Sequence, residues 1–145
     1  MSNIGLSELL KKREIEKVEP DAATAERLLK AAASAIVAAK DNAKMGHNDV
    51  ALSLAYHAML NSGRALMAAK GYRTFSQNHH KTVVSFCAAM LPENATQLVI
   101  LFNRYRVRRH GIVYGEIEEG SVGDTEAQTA ISKVEEFLAL VKTKV

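Results

Sequence analysis

Four arginines, Arg104, Arg106, Arg108 and Arg109, fall within six residues and are followed at once by His110. Guanidinium groups at that density suit bidentate capture of phosphate oxygens. On a helix, Arg106, His110 and Tyr114 stand four residues apart each, so successive side chains turn by only about 40° and form one polar stripe with Arg109 beside it. An arginine neutralises charge on the nonbridging oxygens of a phosphodiester, and a histidine with a pKa near ~6.5 moves a proton at neutral pH. These are the minimum parts for cleavage at an RNA 2′-hydroxyl, a route that needs no metal. A plainer reading stands beside it: a solvated helix end whose arginines pair with Glu116, Glu118 and Glu119, with Tyr114 packed on the bundle and His110 a polar surface group.

The charge distribution favours an anionic partner. Residues 1–50 are balanced, residues 51–115 carry a net +7 with Glu93 as their one acid, and residues 116–145 carry −4, giving the overall +3. Other chemistry is missing. The sequence has no Gly-rich phosphate loop, no His-Glu-x-x-His zinc pair, no Ser nucleophile elbow and no EF-hand loop. His79 and His80 are adjacent, so on a helix they point about 100° apart and at most one faces a site. His57 sits among apolar residues and reads as a core or interface histidine. Cys87 is the one cysteine, which excludes an intrachain disulfide, suits a reducing cytoplasm and reads as a small buried hydrophobe. No metal and no cofactor is expected.

Periodicity makes the elements that hold these residues helical almost throughout. Leu6, Leu9 and Leu10 form a short first helix in a segment closed by Pro20. Asp21 is placed to cap a second, whose stripe of Leu28, Ala32, Ala35, Ile36, Ala39 and Ala43 ends near Gly46. Asn48 or Asp49 caps a third that runs to about Lys70 and Gly71, apolar nearly all round and therefore central. Ser76 or Asn78 precedes a fourth, with Val83, Val84, Phe86, Cys87 and Met90, which stops before Pro92. The fifth carries Ala95, Leu98, Val99, Phe102 and Tyr105 on one face and runs into the arginine cluster before Gly115. After a polar loop from Gly115 to Asp124, the last helix places Ala127, Ala130, Ile131, Val134, Phe137, Leu138 and Val141 on one stripe. The short run Ile112-Val113-Tyr114 does not amount to a strand.

The expected fold is thus an all-α, up-and-down bundle of five or six helices. At 145 residues the chain fits one domain, residues 1–145, with residues 1–20 a short N-terminal helical segment. No stretch approaches the ~18 apolar residues of a membrane span, and the start lacks a signal-peptide pattern, so no membrane is expected.

With the helices in place, a resemblance emerges. The stretch from Asp49 through Tyr56-His57-Ala58-Met59-Leu60 and Arg64-Ala65-Leu66 to Gly71-Tyr72-Arg73 resembles the second-helix-pair signature of small prokaryotic HEPN proteins. The later Arg106-x-x-Arg109-His110-x-x-x-Tyr114 resembles the family's second signature, an Arg, a polar residue and then His or Tyr. His79 or His80 fits as well, and the resemblance spans roughly residues 22–143.

It implies a helical bundle, a homodimer, and a role with RNA or nucleotides. It also implies a minimal nucleotidyltransferase as partner in a toxin–antitoxin-type system, as a substrate-binding or purely structural subunit, or a metal-independent endoribonuclease toxin. Two registers remain open. With Arg109 and His110 as the Arg and polar residue, Tyr114 occupies the catalytic histidine position, and a phenol with pKa near ~10 is a poor proton shuttle at pH 7. With Arg104 and His110 paired, the literal Arg-x5-His spacing is met, but the two diverge by about 120° on an ideal helix and need a dimer or an irregularity at Gly111 to meet. The first register is preferred because Gly115 follows as a helix stop. The expected catalytic set is Arg109, His110 and Tyr114. The expected phosphate set is Arg104, Arg106, Arg109 and His80. Phe102 and Tyr105, apolar surplus next to the cluster, are expected to need cover from a second copy.

Overall fold

The computed structural model describes residues 5–75, 80–118 and 120–145. The chain runs through α1 (Leu6–Lys11), β1 (Ile15–Lys17), α2 (Ala22–Lys44), α3 (Asn48–Lys70), β2 (Tyr72–Thr74), α4 (His80–Met90), a 3-10 turn (Glu93–Ala95), α5 (Thr96–Val113) and α6 (Asp124–Lys142). It is an all-α bundle, as the periodicity implies. The apolar repeat of α6 is buried residue for residue, from Ala127 to Val141. The helix α3 packs against α2, α4, α5 and α6, and between Ala51 and Met67 it buries side chains around most of its circumference, while Val50 at its start is exposed. Phe102 of α5 stands between Tyr56 of α3 and Phe137 of α6, with ring centroids 5.9 and 5.4 Å away. Burial of such side chains, worth roughly 1.5–3 kcal/mol each, dominates the stabilisation. None of the helices described is long and apolar enough to cross a membrane.

Local chemistry explains most of the helix ends. Asp21 caps α2: its carboxylate accepts from the Thr24 backbone N–H at 2.9 Å and from the Thr24 hydroxyl at 2.7 Å. Gly71 ends α3 in the left-handed region at φ 82°, and a Cβ there would lie 2.6 Å from the Val18 carbonyl oxygen. The expected cap of α3 is corrected. His47 holds the N-cap position without a side-chain bond, because Asn48 donates to Asp124 Oδ1 at 2.8 Å and Asp49 Oδ2 accepts from Gly120 N–H at 3.1 Å. Both side chains anchor the start of α6 and the loop before it instead of capping their own helix. Ser76, Asn78 and His79 lie outside the described residues.

The short strands are the departure from helix. Ile15 pairs with Thr74 and Lys17 with Tyr72 in an antiparallel ribbon, and three residues carry too few alternations to register as strand in a sequence. The ribbon is continued by Val18 N–H to Gly71 O at 2.8 Å and Asp21 N–H to Ala68 O at 2.8 Å, so the N-terminal arm is fastened along the end of α3.

Candidate functional site

Helical spacing on α3 puts His57, Leu60, Arg64, Met67 and Ala68 on one face, and that face is one wall of an open cleft of about 610 Å³. Thr24 and Leu28 of α2 and the β2 ribbon close two sides, and His80 and Arg109 arrive from α4 and α5. The cleft therefore combines an apolar floor with four basic groups, His57, Arg64, His80 and Arg109. No carboxylate is among its described lining residues. Two smaller clefts of about 250 Å³ each include an acid, Glu93 in one and Glu135 in the other. Arg73, also in the lining, is engaged by Glu16 across the ribbon.

The basic groups act on one another. Burial holds the His80 imidazole below its ordinary pKa, and the charges of Arg64, Arg109, Arg106 and then His57 push the same way. His57, at the rim, is lowered by partial burial and by Arg64 and Arg109. Beneath them lies Tyr56, 2% exposed, its ring 5.8 Å from that of His80. Burial pushes its phenol up to about 12 although Arg106, Arg109 and Arg64 all pull it down. Neutral imidazoles beside fixed guanidiniums form a site that attracts an anion and can gain protons when one arrives. Among the described residues no group of three His, Cys, Asp or Glu is placed to hold a metal ion.

The α5 arginines part in different directions. Arg109 enters the cleft, with Arg106 within electrostatic reach of His80 and Tyr56 and hydrogen-bonded to Asn103 Oδ1 at 3.0 Å. Arg108 grips Glu126 of α6 with both Nε (2.9 Å) and Nη2 (2.6 Å), a structural ion pair. Arg104 is exposed. The stripe of Arg106, His110 and Tyr114 does not line the cleft together. The helix α5 ends at Val113, so Tyr114 is its C-cap, 65% exposed. His110 stacks on it at 4.5 Å between ring centroids and has Glu116 3.7 Å from Nδ1. His110 and Tyr114 thus stand together at the open end of α5, while Arg109 and His80 stand together in the cleft. His57 and Arg64 join the cleft by a signal present in the sequence, a seven-residue interval that returns to the same helix face.

The expected need for cover over Phe102 and Tyr105 is corrected. Both are buried within the chain, 0% and 3% exposed, because α5 turns that face onto α3 and α6. Exposed apolar groups do lie on the opposite side of α5: Ile100, Val107 and Tyr114 at seven-residue intervals.

A helical bundle with a basic cleft along its central helix defines a class of small all-α domain suited to anionic ligands. The chain belongs to the HEPN domain family, whose model matches residues 25–144. That membership goes with nucleotide- and RNA-related function. No curated protein and no solved structure matches the chain significantly.

Proposed function

We propose that this HEPN protein binds RNA or nucleotides through their phosphates, in the cleft of His57, Arg64, His80 and Arg109 with Arg106 behind it. The observation that carries the reading is the convergence of four basic groups from three helices on one cleft with no carboxylate among its described lining residues. Counterion release makes such binding weaken with salt. Titrating labelled RNA and nucleotides against the protein at several salt concentrations tests it. Replacing Arg106 and Arg109 together by Ala lowers affinity and leaves the fold intact; unchanged affinity removes the assignment.

A second reading is a metal-independent endoribonuclease centred on His110, with Arg104, Arg109 and Tyr114 around it. It is supported by the exposure of His110 and by the Glu116 carboxylate 3.7 Å from its Nδ1. The exposed stripe of Ile100, Val107 and Tyr114 pairs in a homodimer, and the pairing brings Arg104 and His110 of two copies to one seam. His110→Ala then abolishes RNA cleavage, and EDTA leaves the wild-type cleavage untouched. The family resemblance further supports a minimal nucleotidyltransferase as the partner, in a toxin–antitoxin-type system in the cytoplasm. Growth arrest on expression, relieved by co-expression of a nucleotidyltransferase that co-purifies with the chain, is the expected result.

A further inference from the structure

The described lining of the cleft holds five basic side chains, His57, Arg64, Arg73, His80 and Arg109. Four of them stand on helices and belong to the site already described. Arg73 stands on β2, at the border, and its Nε donates to Glu16 Oε1 of β1. A carboxylate, absent from the described lining, is thus held directly against one of the lining cations.

The fold fixes that contact. Glu16 and Arg73 stand directly opposite each other in the antiparallel ribbon, which puts their side chains on one face of it. Ile15, 1% exposed, anchors the register from the core, and a slip by one residue would turn Glu16 to the other face. The pair is nonetheless open to solvent, with the Arg73 side chain 67% and the Glu16 side chain 31% exposed. An ion pair in that setting contributes little and is screened by salt, so the guanidinium exchanges one oxyanion for another at small cost. A phosphate offers it two oxygens in the fork geometry that a guanidinium prefers.

We infer that Arg73 is a fifth phosphate-binding group of the cleft, and that Glu16 sets its strength by competing with the ligand for the guanidinium. The inference rests on the proposed binding of RNA or nucleotides in this cleft and adds the residue pair that tunes it. His57, Arg64, His80 and Arg109 hold phosphate on the helix side, and Arg73 adds a contact on the ribbon side. Wild-type affinity is therefore held below what the five basic groups together can give, by a carboxylate that the N-terminal arm delivers.

A double-mutant cycle provides the test, with Glu16→Gln, Arg73→Gln and the two combined. Affinities for a labelled oligoribonucleotide and for uridine monophosphate are measured for the four proteins, and the probe that the wild type binds more tightly is compared across the cycle. Melting temperatures are recorded without ligand, and they are expected to differ little, because both side chains are partly exposed and the substitutions leave Ile15 and the main-chain pairing in place. The expected result is that Glu16→Gln tightens binding about twofold to fivefold, the range of an exposed ion pair, and that the gain vanishes when Arg73→Gln is also present. No gain from Glu16→Gln overturns the inference. So does an equal gain with and without Arg73, since the carboxylate then acts by general repulsion of the ligand. Either result leaves the binding reading standing, whereas a wild type that binds neither probe overturns both. If a variant does not fold, a structure of the wild type with the more tightly bound probe decides: a phosphate oxygen within hydrogen-bond distance of the Arg73 guanidinium upholds the inference, and a phosphate held elsewhere with Arg73 still on Glu16 overturns it.

Discussion

His57 and His80 give the cleft a pH dependence of defined sign. Both imidazoles are held below their ordinary value of 6.5 in the folded chain, first by burial and then by the arginines around them. The unfolded chain therefore takes up protons that the folded chain refuses, so the ligand-free protein loses stability as pH falls through and below about 6.5. A bound phosphate reverses the bias, because its charge favours the imidazolium forms, and phosphate affinity rises over the same interval. Thermal melts between pH 7.5 and 5.5 with and without a nucleotide check both halves; a ligand-induced gain in melting temperature that shrinks on acidification would count against the cleft. At this scale the sequence was only partly legible. Arg109 and His80 were marked by their type and position, yet which way each of four neighbouring arginines points depends on what α6 offers, and Glu126, not the nearer Glu116, takes Arg108.

The helices carry two further predictions. Arg108 and Glu126 are each about a quarter to a third exposed, 26% and 33%, so their pairing is only partly screened. Arg108→Ala lowers stability by about 1 kcal/mol, measured by urea denaturation, whereas Arg104→Ala, at an exposed site, changes it by less than about 0.5 kcal/mol. The second concerns Gly63. A methyl group there meets Val83 Cγ1 at 2.7 Å and Cys87 Sγ at 3.0 Å, which costs about 1–3 kcal/mol of overpacking against about 1 kcal/mol of improved helix propensity. Gly63→Ala is therefore destabilising or at best neutral in denaturation, and because it pushes on the helix that carries His80 it weakens phosphate binding more than stability. A stabilised Gly63→Ala protein with wild-type affinity contradicts the close contact. Helix phase was the most legible property of this chain, as α6 shows. Caps were less so, because Asn48 and Asp49 are good cap residues whose side chains found partners 76 and 71 residues away in sequence.

For the molecule as a whole, the exposed stripe on α5 predicts a second copy. Sedimentation at micromolar concentration is expected to give a dimer mass, and Val107→Glu, at a site 55% exposed, is expected to give a folded monomer; a wild-type monomer would remove the seam that brings Arg104 and His110 together. The bundle itself follows from binary patterning, whereas the cleft depends on how an arm, a ribbon and three helices meet, information that no local stretch contains. The match to the family begins at residue 25, but the ribbon that closes the cleft, with Tyr72, Arg73 and Thr74 facing β1, is held by strand pairing to residues 15–17. The border of the cleft is thus set by a segment that precedes the matched residues and grips the bundle through main-chain pairing, the buried Ile15 side chain and the Glu16–Arg73 ion pair. Loss of the β1 pairing would therefore free the β2 border of the cleft while leaving in place the helices that carry His57, Arg64, His80 and Arg109.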